Sequence, residues 1–262
     1  MDTSESRVAL VTRPRGQAQT LVEKLTQAGI VVIEIPALSI EGVADKGPLV
    51  HALETLERYA LVVFVSPNAI DSALVHLKGT FPKAVAIGVM GPGSAAKLAE
   101  RGIAAPNYRV FMPAHGHEAR FDSESLYAAL DIGSLRGRRC LVIRGNGGRG
   151  WLIDTLVQNG VKVDVVQSYH RAPAFPDSTA SAKVRELIEK KRSASVIVTS
   201  SEALKVLKNQ FQAIEPKAGV SWLLRQEIIA SHARVAENAT AEGFANVVLA
   251  DPGDDALVRA IE

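Results

Sequence analysis

One segment of the chain occurs twice, and this repeat constrains the fold more than any other feature. Residues 10–38 align without gaps with residues 141–169, and nine of the 29 aligned positions are identical. Chance matching at ordinary composition would give roughly two identities. The identical pairs are Leu10/Leu141, Val11/Val142, Arg13/Arg144, Gly16/Gly147, Leu21/Leu152, Leu25/Leu156, Gln27/Gln158, Gly29/Gly160 and Val32/Val163. The chain therefore contains two copies of one structural unit.

Each copy predicts the same series of local structures. An apolar run leads into an arginine, Arg13 or Arg144, and is followed by leucines spaced by four residues. A glycine, Gly29 or Gly160, then precedes a second apolar run. This pattern indicates a buried strand, a turn, an amphipathic helix that ends at glycine, and a second strand.

Further similarity extends the repeat over most of the chain. Residues 60–70 pair with 194–204, and 91–103 pair more weakly with 232–244. Short apolar strands alternate with helices throughout, which predicts parallel sheets covered by helices on both faces. In such sheets, ligands bind beyond the carboxyl ends of the strands, so the strand-to-helix turns are the candidate functional edge. The repeat alone favours a tandem division near residue 135.

Composition excludes several classes of protein. The chain has 262 residues, with 30 basic and 28 acidic side chains and a net charge of +2, which argues against a broad nucleic-acid surface. Its longest apolar run, residues 59–65, is far shorter than the about 20 residues of a membrane-spanning helix. Cys140 is the single cysteine and is predicted to lie in the core. With polar, acidic first residues, we expect a soluble, cytoplasmic protein that contacts neither membrane nor nucleic acid.

The glycine-rich stretch 145–150 is a candidate phosphate-binding loop. It matches a G-x-G-x-x-G pattern superficially, but Arg144 precedes it and Asp164 falls inside the second strand. The equivalent turn of the first copy has Pro14 and a single glycine, so the fold does not require this pattern. Gly145, Gly147 and Gly148 are more simply explained by backbone groups that approach a ligand or a neighbouring loop closely.

Two further constellations are weak candidates for chemistry. His115 and His117 lie two residues apart in a polar stretch, with no distant partner of a known metal motif, so we expect a solvated loop and no metal. Ser231 and His232 are adjacent, and adjacent side chains on an extended chain point apart, which argues against a catalytic pair.

Four serines lie at predicted strand-to-helix turns. Each is a candidate helix N-cap, and together these turns would present N–H donors and positive helix ends to a polyanion. They are Ser66, Ser94, Ser200 and Ser201.

Ordered motifs along the chain resemble uroporphyrinogen-III synthases from about residue 7 to residue 262. The motifs are "ALVTRP", "FVSPNAI", "MGPGSAAKLAERG", "DSESLYAAL", "CLVIRGNGGRGWLIDTLVQNGVKVDVVQSYHRAP" and "IVTSSEAL". The resemblance implies an α/β fold of two similar domains, joined by a two-stranded linker, with the active site in the cleft between the domains. It places residues 1–36 and 173–262 in one domain, 39–169 in the other, and linkers near 35–39 and 167–172.

The resemblance also implies a reaction and its residues. The family converts linear hydroxymethylbilane to cyclic uroporphyrinogen III, with loss of water and inversion of ring D, in tetrapyrrole (haem) biosynthesis. A linker tyrosine of the family corresponds to Tyr169, which is expected to act as an acid or to pack the seam between domains. Its substrate carries eight carboxylates, which suits many dispersed donors. The expected substrate-binding residues are Arg13, Ser66, Ser94, Arg144, Gly145, Ser200 and Ser201, although the two arginines are equally expected to hold turn carbonyls.

We expect no cofactor and no metal, a monomer, and at most a transient contact with the preceding enzyme of the pathway. Two other functions stay open at this stage. One is a two-domain protein that binds small anions, and the other is a nucleotide-dependent transferase that uses the glycine-rich loop.

Overall fold

The structure is a computed structural model that describes residues 6–113, 122–251 and 253–262. The strands, in chain order, are β1 Val8–Val11, β2 Val31–Glu34, β3 Leu38–Gly42, β4 Leu61–Phe64, β5 Ala86–Val89, β6 Val110–Phe111, β7 Arg139–Arg144, β8 Lys162–Gln167, β9 Tyr169–Pro173, β10 Ser195–Val198, β11 Glu227–Ala230 and β12 Asn246–Leu249. The helices are α1 Gln19–Gln27, α2 Gly47–Glu54, α3 Pro67–Leu74, α4 Pro92–Ala99, α5 Ser123–Ala129, α6 Ile132–Leu135, α7 Trp151–Gln158, α8 Ser178–Glu189, α9 Ser201–Ile214, α10 Gly219–Leu224, α11 Ala233–Ala241 and α12 Asp254–Arg259, with a 3-10 turn at Leu56–Arg58.

Two five-stranded parallel sheets form the framework, which confirms the predicted α/β class. One sheet has the order β12-β11-β10-β1-β2 and the other β6-β5-β4-β7-β8, while β3 and β9 form a separate two-stranded sheet. In the first sheet Leu10 lies between Val196 and Ile33, and in the second Val62 pairs with Leu141. The predicted strand-helix-strand series appears in both copies, as β1-α1-β2 and β7-α7-β8.

The chain divides into two compact units. Unit 1 comprises residues 1–39 and 172–262, and unit 2 comprises residues 40–171. The division falls inside β3 and inside β9, the two strands of the small sheet. In unit 1, β1 and β2 of the first repeat copy share a sheet with β10, β11 and β12 of the second copy. In unit 2, β7 and β8 of the second copy share a sheet with β4, β5 and β6 of the first. The repeat copies are therefore not the compact units.

Both faces of each large sheet are covered by apolar side chains, as expected for parallel strands between helices. Along β1, Leu10 packs into one cluster of unit 1 with Phe211 and Trp222, whereas Ala9 packs on the opposite face with Leu21. Side chains also alternate along β4 in unit 2, where Val62 and Phe64 belong to one buried cluster and Leu61 and Val63 to the other. Every one of these buried clusters draws its residues from a single unit.

Glycines in the left-handed region follow several helices. Gly29 and Gly160 have φ of 74° and 81°, which confirms the glycine ends predicted in the two repeat copies. Helix α8 differs, because Lys191 takes the left-handed position with φ of 55°. The N–H of the next residue, Arg192, still donates to the Leu187 carbonyl at 3.0 Å, so the same type of helix end forms with a lysine.

The two tryptophans of the sequence lie in different units. Trp222 in unit 1 is 4% exposed and stacks on Phe211, with ring centroids 5.7 Å apart. Trp151 in unit 2 begins α7, is 37% exposed, and meets the ring of Tyr127 edge-on at 5.8 Å.

A buried glutamine holds the chain on either side of the small sheet. Gln210 on α9 is 1% exposed, and its Nε2 donates to the carbonyls of Pro36 at 2.8 Å and Ala174 at 2.7 Å. Pro36 precedes β3 and Ala174 follows β9, so one side chain of unit 1 fixes both segments to α9. Among the described residues, no helix has the length and apolar character needed to cross a membrane.

Candidate active site

Tyr169 begins β9 and lies in the core of unit 2, where it is 4% exposed. Its hydroxyl is 3.0 Å from the Ser66 hydroxyl, and either oxygen can be the donor. Ser66 is the N-cap of α3 and accepts the N–H of Ala69 at 3.2 Å, so the predicted cap is confirmed. Because Ser66 accepts at its oxygen, its own proton is available to Tyr169.

Gly145 lies against the ring of Tyr169. A Cβ added to this glycine would be 2.7 Å from two ring carbons, closer than real side chains approach one another. The glycine at this position is therefore required by the close approach of an aromatic ring. Tyr169 thus contacts two other predicted site residues of unit 2, Ser66 and Gly145.

The backbone next to Tyr169 is held by several hydrogen bonds. Ser168, 2% exposed, donates its N–H to the Arg144 carbonyl at 2.9 Å and accepts from the hydroxyl of Ser72 at 2.9 Å. The carbonyl of Tyr169 accepts from Nε2 of Gln167 at 3.0 Å. Sequence patterns did not identify Ser72 or Ser168, whose partners are far away in the chain.

Arg144 folds back over the glycine-rich loop. Its guanidinium donates to the carbonyl of Gly147 and, at 2.8 Å, to that of Gly148. Of the two roles expected for this arginine, the structure shows the one that holds turn carbonyls. The left-handed residue of this loop is Gly148, with φ of 94°, whereas the first copy has it at Gly16, the equivalent of Gly147.

Asn146 was not predicted as a site residue, yet it contacts the strand that carries Tyr169. Its Nδ2 donates to the carbonyl of Arg171 at 3.1 Å, and its Oδ1 accepts the N–H of Arg171 at 2.7 Å. The sequence feature that could have identified Asn146 is its position inside the glycine-rich loop.

The prediction that Ser94 caps a helix is wrong. Gly91 is the N-cap of α4, Pro92 is its first residue, and Ser94 lies inside the helix and is 3% exposed. Pro92 fixes the start of the helix, because proline suits the first position and has no N–H to be satisfied there.

In unit 1 the three predicted residues have different neighbours. Arg13 forms an ion pair with Asp254 at 2.7 Å, and both side chains are about one-fifth exposed. Ser200 is the N-cap of α9 but makes no side-chain capping bond. Ser201 is the first helical residue and accepts from Nδ2 of Asn238 at 2.7 Å, so its prediction as an N-cap is wrong.

Ser231 and His232 follow β11 in the same unit. His232 is the N-cap of α11 and makes no side-chain capping bond. Burial lowers the pKa of His232, so its imidazole is neutral at pH 7. The Ser231 hydroxyl is buried and has no hydrogen-bond partner within the described part of the chain.

Neither metal ligands nor a reactive thiol is evident in the described ranges. No group of three or more His, Cys, Asp or Glu side chains there could hold a metal ion. His115 and His117 lie outside the described residues. Cys140 is fully buried as predicted, and burial raises the pKa of its thiol to about 12, so the thiolate is scarce at neutral pH.

A groove of about 550 Å³ runs along the edge strand β2 in unit 1, between α1 and α8. It is lined in part by Val31, Glu34, Asp177 and Lys183, and contains none of the predicted site residues. The volume of this groove is therefore not by itself a reason to place the active site there.

Comparison with known families decides the assignment. The family described as uroporphyrinogen-III synthase HemD matches residues 19–259 of this chain. The chain belongs to the uroporphyrinogen-III synthase family. Members of this family cyclise hydroxymethylbilane in tetrapyrrole biosynthesis, and the chain is an enzyme of this lyase kind.

Relatives agree with the family assignment, and solved structures share the fold. The chain is 28% identical to the uroporphyrinogen-III synthase of Salmonella typhimurium, over 97% of this chain and 99% of the relative. The Escherichia coli enzyme is 27% identical, with the same coverage. Uroporphyrinogen III synthase structures from Thermus thermophilus and Helicobacter pylori share the fold, with TM-scores of 0.60 and 0.61, identities of 15% and 14%, and 97% coverage of both chains in each pair.

The family match does not favour the two other functions that the sequence left open. An anion-binding protein and a nucleotide-dependent transferase would not account for similarity over nearly the whole chain.

Proposed function

We propose that this uroporphyrinogen-III synthase converts hydroxymethylbilane to uroporphyrinogen III with inversion of ring D, and that Tyr169 protonates the departing hydroxyl. The observation that carries the proposal is the Tyr169 hydroxyl, buried and 3.0 Å from the Ser66 hydroxyl. A phenol is protonated at neutral pH and can donate its proton.

The proposed step breaks the bond between the hydroxymethyl carbon and its oxygen. The pyrrole nitrogen supplies the electron pair that leaves a cationic azafulvene, and the phenol proton converts the departing hydroxyl to water. The substituted carbon of ring D then attacks the azafulvene carbon and forms a spiro intermediate. Without enzyme the unsubstituted carbon of ring D attacks instead. The enzyme must therefore hold the substituted carbon of ring D against the azafulvene carbon.

Ser66 would stabilise the phenolate that Tyr169 becomes as its proton leaves. A hydroxyl that donates to the phenol oxygen strengthens its bond as negative charge develops there. This orientation is compatible with the second contact of Ser66, since its oxygen accepts the N–H of Ala69 while its proton stays available.

Dispersed donors at strand-to-helix turns would bind the eight carboxylates of the substrate. The proposed set is Arg13, Ser66, Ser94, Arg144, Gly145, Ser200 and Ser201, in which Ser66 contributes through the turn at the start of α3 because its one hydroxyl proton is directed to Tyr169. The N-termini of α3 and α9 support this proposal, since the positive end of a helix dipole favours anions there. Arg13 would leave its ion pair with Asp254 and bind a substrate carboxylate instead. Arg144 would contribute by holding the glycine-rich loop in a conformation that can bind the substrate.

We also propose the organisation and setting of the enzyme. Residues 1–36 and 173–262 form one domain and 39–169 the other, with linkers near 35–39 and 167–172, and the compact units support this division. The enzyme acts as a cytoplasmic monomer without cofactor or metal, and contacts the preceding enzyme of the pathway transiently. The single buried cysteine is compatible with a reducing compartment.

An isomer-resolved assay tests the function. Purified protein and hydroxymethylbilane are incubated, the products are oxidised, and the porphyrin isomers are separated. We expect type III in the presence of the protein and type I in its absence. Type I alone in both samples would overturn the proposed function.

Substitution of Tyr169 by Phe tests the role of the phenol. Tyr169→Phe keeps the ring but removes the donor, so kcat should fall roughly 10- to 1000-fold while KM changes little. The free energy of unfolding should change by about 1 kcal/mol or less. Tyr108→Phe is the matched control, because it removes a phenol bond to the Phe81 carbonyl in the same unit. Normal turnover of Tyr169→Phe would make Tyr169 a packing residue.

A further inference from the structure

Asn146 pairs with both backbone groups of one residue. Its side-chain amide donates to the Arg171 carbonyl at 3.1 Å and accepts the Arg171 N–H at 2.7 Å. A carboxamide presents a donor and an acceptor side by side, so it pairs with the backbone of β9 as a neighbouring strand would. Two bonds to a single residue fix both the position and the direction of the backbone there.

Tyr169 lies between two tethers that come from one short segment. On the side before Tyr169, the N–H of Ser168 donates to the carbonyl of Arg144 at 2.9 Å. On the side after it, Arg171 is held by Asn146. Between these two points of attachment, Gly145 contacts the ring of Tyr169. Three consecutive residues, 144–146, therefore fix the backbone and the ring of Tyr169.

The equivalent positions of the first repeat copy lack this arrangement. The alignment places Arg15 opposite Asn146, and Leu38 opposite Tyr169. Arg15 forms an ion pair with Asp177 at 3.3 Å. The copy that lacks the tyrosine thus also lacks the asparagine, although both copies build the same strand-helix-strand unit. The fold itself does not need an asparagine at this position.

We propose that Asn146 is a positioning residue that sets the place of the Tyr169 hydroxyl relative to the substrate. This inference rests on the proposed role of Tyr169 as the acid. Arg144 supports the same arrangement, since its guanidinium closes the loop from Asn146 to Gly148. A small displacement of a reacting group lowers turnover without a matching loss of substrate affinity.

Two substitutions separate the two bonds of Asn146. Asn146→Ala removes both, and Asn146→Asp keeps the acceptor for the Arg171 N–H while it removes the donor. We expect kcat to fall roughly 10- to 100-fold for Asn146→Ala, with a smaller fall for Asn146→Asp and KM within about twofold. Asn159→Ala is the matched control, because it removes a bond to the Thr155 carbonyl in the same unit, and should retain normal kcat.

The double variant tests whether Asn146 acts through Tyr169. If it does, Asn146→Ala combined with Tyr169→Phe should be no slower than Tyr169→Phe alone, since the positioned proton donor is already absent. A fall that equals the product of the two single falls would overturn the inference, as would normal kcat of Asn146→Ala. If Asn146→Ala does not fold, Asn146→Asp replaces it in the same comparison.

Measurement with enzyme in excess over hydroxymethylbilane gives a second readout. Nearly all substrate is then bound at the start, and a misplaced acid that slows its conversion gives the substrate more time to dissociate and close spontaneously, which should raise the fraction of type I isomer. A type I fraction unchanged from wild type, together with unchanged kcat, contradicts the inference. Absence of type III with the wild-type protein would instead contradict the proposed function itself.

Discussion

At the scale of single residues, the close approach of the Tyr169 ring accounts for the glycine at position 145. The glycine-rich loop predicted close approach of the backbone to a ligand or a neighbouring loop. The ring that approaches it belongs to a residue 24 positions later in the chain, and no local pattern encodes that contact. The ion pair of Arg13 with Asp254 is hidden for the same reason.

Gly145→Ala tests the contact. The new methyl group would lie 2.7 Å from the Tyr169 ring, so the ring must move, and the free energy of unfolding should fall by about 1–3 kcal/mol. Turnover should fall as well, because the hydroxyl moves with the ring. Urea denaturation and the isomer assay measure the two effects.

Gly147→Ala is the control for this prediction. A Cβ there would lie 3.7 Å from a guanidinium nitrogen of Arg171, an ordinary contact, so stability and turnover should change little. Equal effects of the two substitutions would show that the Tyr169 ring is not the reason for a glycine at position 145.

At the scale of helices and strands, the hydrophobic period predicted the elements well and their first residues poorly. Serine is a frequent N-cap, which predicts helix starts at Ser94 and at Ser201. Pro92 moves the start of α4 earlier, and of the neighbours Ser200 and Ser201 only one can hold the cap position. Competition between adjacent suitable residues therefore decides a boundary that composition leaves open.

The end of α8 gives a prediction at this scale. Lys191 occupies a left-handed backbone conformation that glycine adopts without strain. Lys191→Gly should raise the free energy of unfolding by about 0.5–1 kcal/mol, the relief of strain being partly offset by the greater freedom of glycine in the unfolded chain. Thermal and urea unfolding measure the change.

Lys190→Gly is the control, and the free energy of unfolding should change in the opposite direction. Lys190 has a right-handed conformation, with φ of −79°, and its ammonium forms an ion pair with Glu186 at 2.6 Å. Glycine there should lower stability. A fall for both variants would show that left-handed strain at Lys191 is negligible.

At the scale of the whole molecule, the repeat predicted the strands and their parallel pairing but not which strands share a sheet. Strand β1 pairs with β10, whose residues come 186 positions later in the chain, as well as with its sequence neighbour β2. Similarity between two copies is equally compatible with tandem and with interleaved pairing. The family resemblance, and not the repeat, pointed to an interleaved division.

Separate cores predict separate effects of core substitutions. Leu207→Ala in α9 and Leu156→Ala in α7 remove matched, fully buried side chains from different units. Each should lower stability by about 2–5 kcal/mol. Amide hydrogen exchange should accelerate mainly in the unit that carries the change. Equal acceleration in both units would show that they unfold as one.

The placement of one tryptophan in each unit gives the molecule two intrinsic optical probes. Trp222, enclosed and stacked on Phe211, is shielded from water, whereas Trp151 is partly hydrated. An enclosed indole fluoresces at shorter wavelength than a hydrated one, so the folded protein emits as the sum of a blue and a red component. Replacing either indole by Phe isolates the other, and the emission of one unit can then be followed without an added dye.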